Sequence, residues 1–167
     1  MNNWKWLGLI LILSFGSFWY FTQAPELRKH NHLHLALDAS KKSNKPLFIY
    51  FTAYTLCSDE FRVYTRNRKI VRKLNRDFET LIVFVDDKGS IWPPDMRVVE
   101  QDLGLTPADW ALEDNGKFHT WLEQELYKEA SQPLYLITDQ QLKPLVEPWY
   151  YSAKNVEKFL GHLSQLD

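Results

Sequence analysis

The chain has 167 residues but only one cysteine, Cys57, and this scarcity excludes several kinds of chemistry. A single cysteine cannot form an internal disulfide. It also cannot supply the clustered thiolates of a structural zinc or iron–sulfur site. Dithiol–disulfide exchange needs one sulfur to attack and a second to resolve the mixed disulfide. The chain therefore cannot complete a dithiol cycle with its own residues.

An excess of charge of one sign is also missing, because 20 Lys and Arg residues face 21 Asp and Glu residues, for a net charge of −1. Overall electrostatics thus favours neither nucleic acid nor an acidic partner, and we predict no nucleic-acid partner. The sequence has no glycine-rich phosphate loop and no nucleophile–histidine–acid set, and we predict no cofactor. Aromatic residues are plentiful at 15%, which suits one domain with a real core.

An apolar run at the N-terminus, Trp4–Phe21, contains only one charged residue, Lys5. Its length is at the short end of the roughly 17–25 residues of a bilayer-spanning helix. Tryptophan and tyrosine near its ends resemble an aromatic belt. A cleaved signal peptide is the alternative. We predict a retained signal anchor that contacts the membrane through residues 4–22. The protein would then be a single-pass protein of the inner (cytoplasmic) membrane, with its domain in the periplasm.

The remaining chain is predicted to form one domain. We assign residues 1–22 to the anchor or signal segment, 23–32 to a juxtamembrane linker and 33–167 to the domain. Residues 88–116 are rich in proline and glycine and lack regular spacing. We interpret them as a long insertion with about one helical turn, and loops of this length are often functional.

Short runs rich in β-branched and aromatic residues predict four buried strands, and helical spacing fills most of the chain between and around them. The first two strands are joined by a helix and should be parallel, whereas the last two are joined by a tight turn and should be antiparallel. The expected fold is α/β, with a mixed sheet between helices. The predicted strands are Leu47–Phe51, Thr80–Val85, Leu134–Thr138 and Leu142–Trp149.

Three segments carry a resemblance to a known family: Asn44–Thr52, Phe84–Lys88 and Ser131–Leu136. Their order and spacing resemble the thioredoxin fold, and within it the C-terminal thioredoxin-like domain of the thiol:disulfide interchange protein DsbD and its relatives. The resemblance covers about residues 33–163. It implies a three-layer α/β/α architecture with a mixed four-stranded sheet, which would follow the N-terminal transmembrane helix predicted from the apolar run. It also implies a cis Gln132–Pro133 peptide facing the active-site turn.

The chain departs from this family where the family keeps its reactive cysteines. The family reads F-T-G-x-x-C-x-x-C after its first buried strand, and this chain reads FTAYTLCSDE over residues 51–60. Aligned without gaps, Leu56 takes the first cysteine position and Asp59 the second. Cys57 falls one place beyond the first. The CxxC motif is therefore degenerate.

Two functions remain open. In the first, the domain is a non-catalytic binding or scaffold module, or a subunit of a membrane complex, and it holds a protein partner. In the second, it is a monothiol thiol–disulfide oxidoreductase or redox sensor with Cys57 as its catalytic residue. A helix N-terminus would favour the thiolate, whereas the neighbouring carboxylates of Asp59 and Glu60 would oppose it. The residues predicted to contact the partner or substrate are Tyr54, Thr55, Leu56, Asp59, Gln132 and Pro133.

Histidines and acidic residues offer weaker candidates. On one helix, His30 and His34 would share a face at a spacing that metal ligands use. No further ligand completes that set, so we favour solvated linker histidines and predict no metal. The adjacent Asp86 and Asp87 should point to opposite sides of their strand. We expect them to cap the following turn and not to share a proton.

The stretch between Arg62 and Arg76 is strongly basic. Such a helix could meet an acidic partner or anionic lipid headgroups. It could also be a solvated outer face. Of these three interpretations, we favour the solvated outer face.

Overall fold

The computed structural model describes residues 25–55, 60–150 and 155–166. The apolar segment Trp4–Phe21 lies outside these ranges. Within them, no helix has the length and apolarity that crossing a bilayer requires.

The described residues form six α-helices and four strands. A π-helix at Val98–Asp102 and a 3₁₀ helix at Asp109–Leu112 add two further helical pieces. The helices are α1 (Leu33–Ser43), α2 (Glu60–Arg66), α3 (Arg68–Asp77), α4 (Pro93–Arg97), α5 (Asn115–Tyr127) and α6 (Val156–Leu163). The strands are β1 (Leu47–Thr52), β2 (Glu79–Phe84), β3 (Leu134–Thr138) and β4 (Trp149–Tyr150).

The four strands form one mixed sheet in the order β2-β1-β3-β4. β1 pairs in parallel with β2 and antiparallel with β3, and β3 pairs antiparallel with β4. The predicted mixed four-stranded sheet is confirmed. The parallel pair follows from the helical connection between β1 and β2, because such a crossover returns the chain to the same end of the sheet.

Two core layers cover the two faces of the sheet. Successive side chains of β1 alternate between them, as in any strand buried on both faces. Ile49 and Phe51 pack towards α1, α5 and the insertion, and Phe48 and Tyr50 pack towards α3 and α6. All six residues of β1 are buried. The continuous apolar run that predicted this strand is therefore explained by the position of β1 inside the sheet, with both of its faces buried.

The fourth strand is much shorter than predicted, since only Trp149 and Tyr150 pair with β3. The chain before it forms a turn, in which the Asp139 carboxylate accepts hydrogen bonds from the backbone N–H groups of Gln141 and Lys143. Beyond this turn, Pro144 makes only an isolated bridge to β3. Proline has no N–H to donate to a ladder, so apolar content alone overestimated this strand.

The insertion at residues 88–116 is more regular than predicted. Pro93 begins α4, where its missing N–H costs nothing, and the π-helix follows directly. Val99 and Ala111 from this region are fully buried in the core. The expectation of a single helical turn is wrong, since the region contains an α-helix, a π-helix and a 3₁₀ helix. Each of these helices is only four or five residues long. Pieces of that length show no helical period in the sequence.

The start of α5 packs closely against the loop that follows β2, and this contact requires glycine. A Cβ on Gly116 would lie 2.6 Å from the Val85 carbonyl oxygen and 2.8 Å from the Asp87 nitrogen. We therefore expect Gly116→Ala to lower the free energy of unfolding by about 1–3 kcal/mol, measured by urea denaturation. Gly161→Ala is the matched control. A Cβ there meets nothing within 4 Å, so this helical substitution should be neutral or stabilising. Equal effects of the two substitutions would contradict the packing argument.

Candidate functional site at the cis-proline corner

Three strand ends meet at one corner of the sheet. Phe51 of β1 lies opposite Leu134 of β3, so Pro133 lies beside Thr52, where β1 ends. The Val85 N–H, just after β2, donates to the Thr52 carbonyl at 2.8 Å. The Gln132–Pro133 peptide bond is cis. The turn after β1, the loop after β2 and the start of β3 thus form one surface, which we call the corner.

A carboxylate from the loop after β2 holds the turn after β1. Asp86 Oδ1 accepts a hydrogen bond from the Tyr54 N–H at 2.7 Å, and Oδ2 accepts one from the Thr55 N–H at 3.3 Å. These amides follow the last residue of β1 and have left its ladder. The hydrogen bonds fix the turn at Tyr54 and Thr55, where the chain leaves β1.

An exposed aromatic pair adjoins this turn. The ring of Tyr54 stacks on that of Phe84 with centroids 3.9 Å apart and planes within 2°. Tyr54 keeps 58% of its surface exposed. A hollow beside Phe84 is lined by Ile82, Leu27 and Arg62, among others. The corner therefore presents a flat aromatic surface next to a hollow that is lined by both apolar and charged side chains.

On the other side of the corner, a buried carboxyl group holds the residue before Pro133. Glu123 of α5 has no solvent-exposed surface, and its Oε2 accepts a hydrogen bond from Gln132 Nε2 at 2.7 Å. Its Oε1 is buried and has no hydrogen-bond partner among the described residues. The Glu123 carboxyl group thus positions the Gln132 side chain, although Glu123 was not among the residues predicted for the site.

Comparisons with known proteins agree with this architecture. No family model matches the chain, and no curated protein matches it significantly. Among solved structures, it is similar to "DsbH Oxidoreductase", with a TM-score of 0.54 and 15% identity over 84% of this chain and 83% of that one. The chain has the thioredoxin fold. A thioredoxin from Thermus thermophilus is also similar, with a TM-score of 0.50 and 14% identity over 85% of this chain and 88% of that one.

The thioredoxin fold brings together only some of the residues predicted for the site. Tyr54 and Thr55 lie in the turn after β1, on one side of the corner, and Gln132 and Pro133 lie on the other side. Three predicted residues lie outside the described ranges, in the segment between Thr55 and α2: Leu56, Cys57 and Asp59.

In this thioredoxin fold, the pKa of the Glu123 carboxyl group is shifted far from its ordinary value. Burial raises the pKa of Glu123 from 4.5 to about 7, and the hydrogen bond from Gln132 only partly offsets this effect. The nearby charge of Glu129 raises the pKa further. The carboxyl group beneath Gln132 therefore changes its charge near neutral pH, which would alter the local field at the corner.

A second set of buried polar groups supports the loop after β2. His119 of α5 donates its Nδ1–H to the Phe84 carbonyl oxygen at 2.9 Å, and burial lowers the pKa of this imidazole. Burial raises the pKa of Asp87, but hydrogen bonds from Asn115 and the Gly89 N–H outweigh this, so its pKa is below the ordinary value. Asp86 and Asp87 thus have separate partners, as their opposite directions predicted. Asp86, however, holds the turn after β1 and not the following one.

The prediction that His30 and His34 are solvated linker residues is wrong. His30 lies outside α1 and bridges to Leu81, with its Nε2 3.2 Å from Glu79 Oε2. His34 lies in α1, with its Nδ1 2.7 Å from the buried Asp95 Oδ1. The two histidines share no helix face, and each has a carboxylate partner instead of solvent alone. In the part of the chain that the structure describes, no three His, Cys, Asp or Glu residues are arranged to hold a metal ion.

The role of Asp86 can be tested by removing its carboxylate. Asp86→Ala leaves the Tyr54 and Thr55 N–H groups without this acceptor, so we expect a loss of about 1 kcal/mol in the free energy of unfolding. Asp86→Asn keeps one acceptor oxygen and should recover part of that loss. The Tyr54 amide should also exchange its hydrogen faster in Asp86→Ala. An unchanged exchange rate at Tyr54 would show that Asp86 does not hold the turn.

Proposed function

We propose that this chain is a membrane-tethered, envelope-facing member of the DsbD-like thioredoxin group that has lost its dithiol centre. In this proposal the corner binds an extended segment of a partner polypeptide, as a scaffold or as one subunit of a membrane complex. The observation that carries the proposal is the preserved corner around Pro133 in a chain with one cysteine. The binding surface can outlast the chemistry because the two depend on different residues.

The architecture of the corner supports peptide binding. The start of β3 at Pro133 lies beside the last residue of β1, and the exposed Tyr54 ring lies on the neighbouring turn. An extended peptide recognised here would gain backbone hydrogen bonds and an aromatic contact, which is the usual physics of strand-like recognition. Aromatic residues with exposed faces are also enriched at the centres of protein interfaces.

The sulfur count supports a non-catalytic role. A mixed disulfide formed at Cys57 has no second sulfur within the chain to resolve it. A complete exchange cycle would need a thiol from another molecule. Binding at the corner has no such requirement.

Photo-crosslinking in cells tests the proposal. A benzophenone amino acid replaces Tyr54 in the full chain, with and without Cys57→Ser. We expect an adduct with one defined partner that persists unchanged in Cys57→Ser. The matched control places the same amino acid at Leu145, which is 44% exposed and lies near Pro46 at the opposite end of the sheet. Equal adducts at the two positions would overturn the proposal.

The alternative function is a monothiol oxidoreductase or redox sensor. The specific observation favouring it is that Cys57 lies between Thr55 and α2, two residues beyond the turn that Asp86 holds. One structural neighbour is named an oxidoreductase, which fits this alternative. Loss of the Tyr54 adduct in Cys57→Ser, with the fold intact, would favour it over the scaffold function.

A further inference from the structure

One side of the domain carries a concentration of positive charge. Between Phe61 and Arg76 the sequence has seven Lys and Arg residues and no Asp or Glu. Ile70 and Leu74 of α3 face the core, so the basic residues on the other side of this helix face outwards. The exposed basic residues on α2, α3 and the adjoining N-terminal segment form what we call the basic face: Arg28, Lys29, Arg62, Arg66, Arg68, Lys69, Arg72 and Arg76.

Among the residues that the structure describes, few acidic groups form ion pairs with this face. Asp77 pairs with Arg76 and with the largely buried Lys73 at the end of α3. Four members of the basic face form no ion pair within the described residues: Arg62, Arg66, Lys69 and Arg72. The whole chain has a net charge of −1, so this concentration is local and is offset elsewhere. A local cluster of this kind attracts anions without making the protein basic overall.

The described chain enters the domain along this same face. The Arg28 N–H donates to Asn75 Oδ1 at 2.9 Å, and Asn75 Nδ2 donates to the Glu26 carbonyl at 2.8 Å. These bonds fix residues 26–28 on α3. Lys29 and Arg62 line one hollow, which joins the entering segment to α2. The point of entry and the basic face are therefore parts of one surface.

The predicted anchor ends very close to this surface. Only residues 22–24 separate Phe21 from Pro25. Four residue steps span at most about 14 Å, even when fully extended. Charges interact with a membrane surface over about one Debye length, roughly 8–10 Å at physiological ionic strength. A tether this short would hold the nearest members of the basic face within or close to that range.

We propose that the basic face docks on the anionic phospholipid headgroups of the membrane that holds the anchor. The inference rests on the proposed membrane tether and adds the orientation of the domain. Arginine and lysine side chains would meet lipid phosphates, and the opposite layer of the domain, with α1 and α5, would face away from the bilayer. The position of the anchor favours lipid over an acidic protein as the occupant of this face.

Chemical footprinting of the full chain tests this orientation. The chain is placed in nanodiscs of phosphatidylcholine alone or mixed with phosphatidylglycerol, and the rate of lysine acylation is measured by mass spectrometry. Lys69 should react about threefold more slowly, or slower still, in the anionic nanodiscs, and high salt should remove the difference. Lys42 is the internal control, because it is exposed at the end of α1 in the opposite layer and should react equally in both lipids.

Charge-reversal variants sharpen the result. Arg66→Glu with Arg72→Glu should restore the Lys69 rate in anionic nanodiscs to its value in neutral ones. The matched control, Lys128→Glu with Lys143→Glu, reverses two exposed charges away from the face and should leave Lys69 shielded. Equal Lys69 rates in the two lipids would overturn the inference. So would shielding that appears only when an acidic polypeptide is added.

The membrane tether is tested separately, by measuring the fraction of the chain that stays in neutral nanodiscs after alkaline washing. If the chain is washed out but added anionic vesicles still shield Lys69, the lipid-binding face is supported and the membrane tether is ruled out. If the chain is retained but Lys69 reacts at the same rate in neutral and anionic nanodiscs, the membrane tether is supported and the lipid-binding face is ruled out. The two proposals therefore fail by different observations.

Discussion

Glu123→Gln should flatten the dependence of stability on pH between about pH 4.5 and pH 7. The carboxyl group is buried and its pKa is raised from 4.5 to about 7, so the folded state binds this proton more tightly than the unfolded chain. The contribution of this carboxyl group to the free energy of unfolding is fully present below pH 4.5, and it is lost as the pH rises to about 7. At roughly 1.4 kcal/mol per pKa unit, the wild type should lose at most about 3 kcal/mol across this window.

The glutamine variant imitates the protonated carboxyl group, because its amide oxygen can still accept from Gln132 and it has no charge to bury. We expect the variant to exceed the wild type in stability at pH 8 and to approach it at pH 4. Urea denaturation at several pH values gives the difference, in which the titrations of His119 and Asp87 cancel. Glu125→Gln is the matched control on the exposed side of the same helix and should change stability by less than about 0.5 kcal/mol. A pH-independent difference between Glu123→Gln and wild type would contradict this account of the buried carboxyl group.

Phe159→Ala should lower the free energy of unfolding by about 3–5 kcal/mol, because it removes the centre of an aromatic cluster. Phe159 of α6 is 3% exposed. Its ring lies 4.2 Å from that of Tyr64 on α2 and 5.9 Å from that of Phe48 on β1, measured between centroids. The cluster thus joins the C-terminal helix to the helix that follows the corner.

Phe159→Leu keeps much of the buried volume and should lose clearly less, about 1–2 kcal/mol. Leu166→Ala changes an exposed residue near the same end of the chain and should have little effect. The measurement is urea denaturation, followed both by far-UV circular dichroism and by tryptophan fluorescence. A loss for Phe159→Ala no larger than that for Leu166→Ala would show that α6 does not depend on this cluster.

The parts of the fold that were predictable are those with long, uniform patterns. β1 and β3 are continuous apolar runs buried on both faces, and β3 was predicted at its observed bounds, Leu134–Thr138. The boundary between α2 and α3 fits the residue type at Asn67, since its side chain accepts from the N–H groups of Lys69 and Ile70 and caps α3. The length of β4 was overestimated, because the turn at Asp139 and the prolines Pro144 and Pro148 outweigh the apolar content of that segment.

The candidate site was predictable in outline only. The residues at the strand ends could be placed from the order of strands, and the structure brings Tyr54 and Pro133 to one corner. The target of Asp86 required the fold, because the bonded amides lie more than 30 residues earlier in the chain. Glu123 was missed although a signal exists. It lies four residues from both His119 and Tyr127, and aromatic side chains at that spacing indicate a helix face that packs against the core.

The most direct test of the central claim is the reduction of insulin disulfides by dithiothreitol, with the full chain in detergent micelles and Cys57→Ser as its matched control. We propose that the thioredoxin fold and its corner remain in this chain while the two-sulfur reaction centre does not. The wild-type chain and Cys57→Ser should therefore both leave the rate at its uncatalysed value. A wild-type chain that accelerates the reduction through many turnovers, and loses this activity in Cys57→Ser, would contradict this proposal.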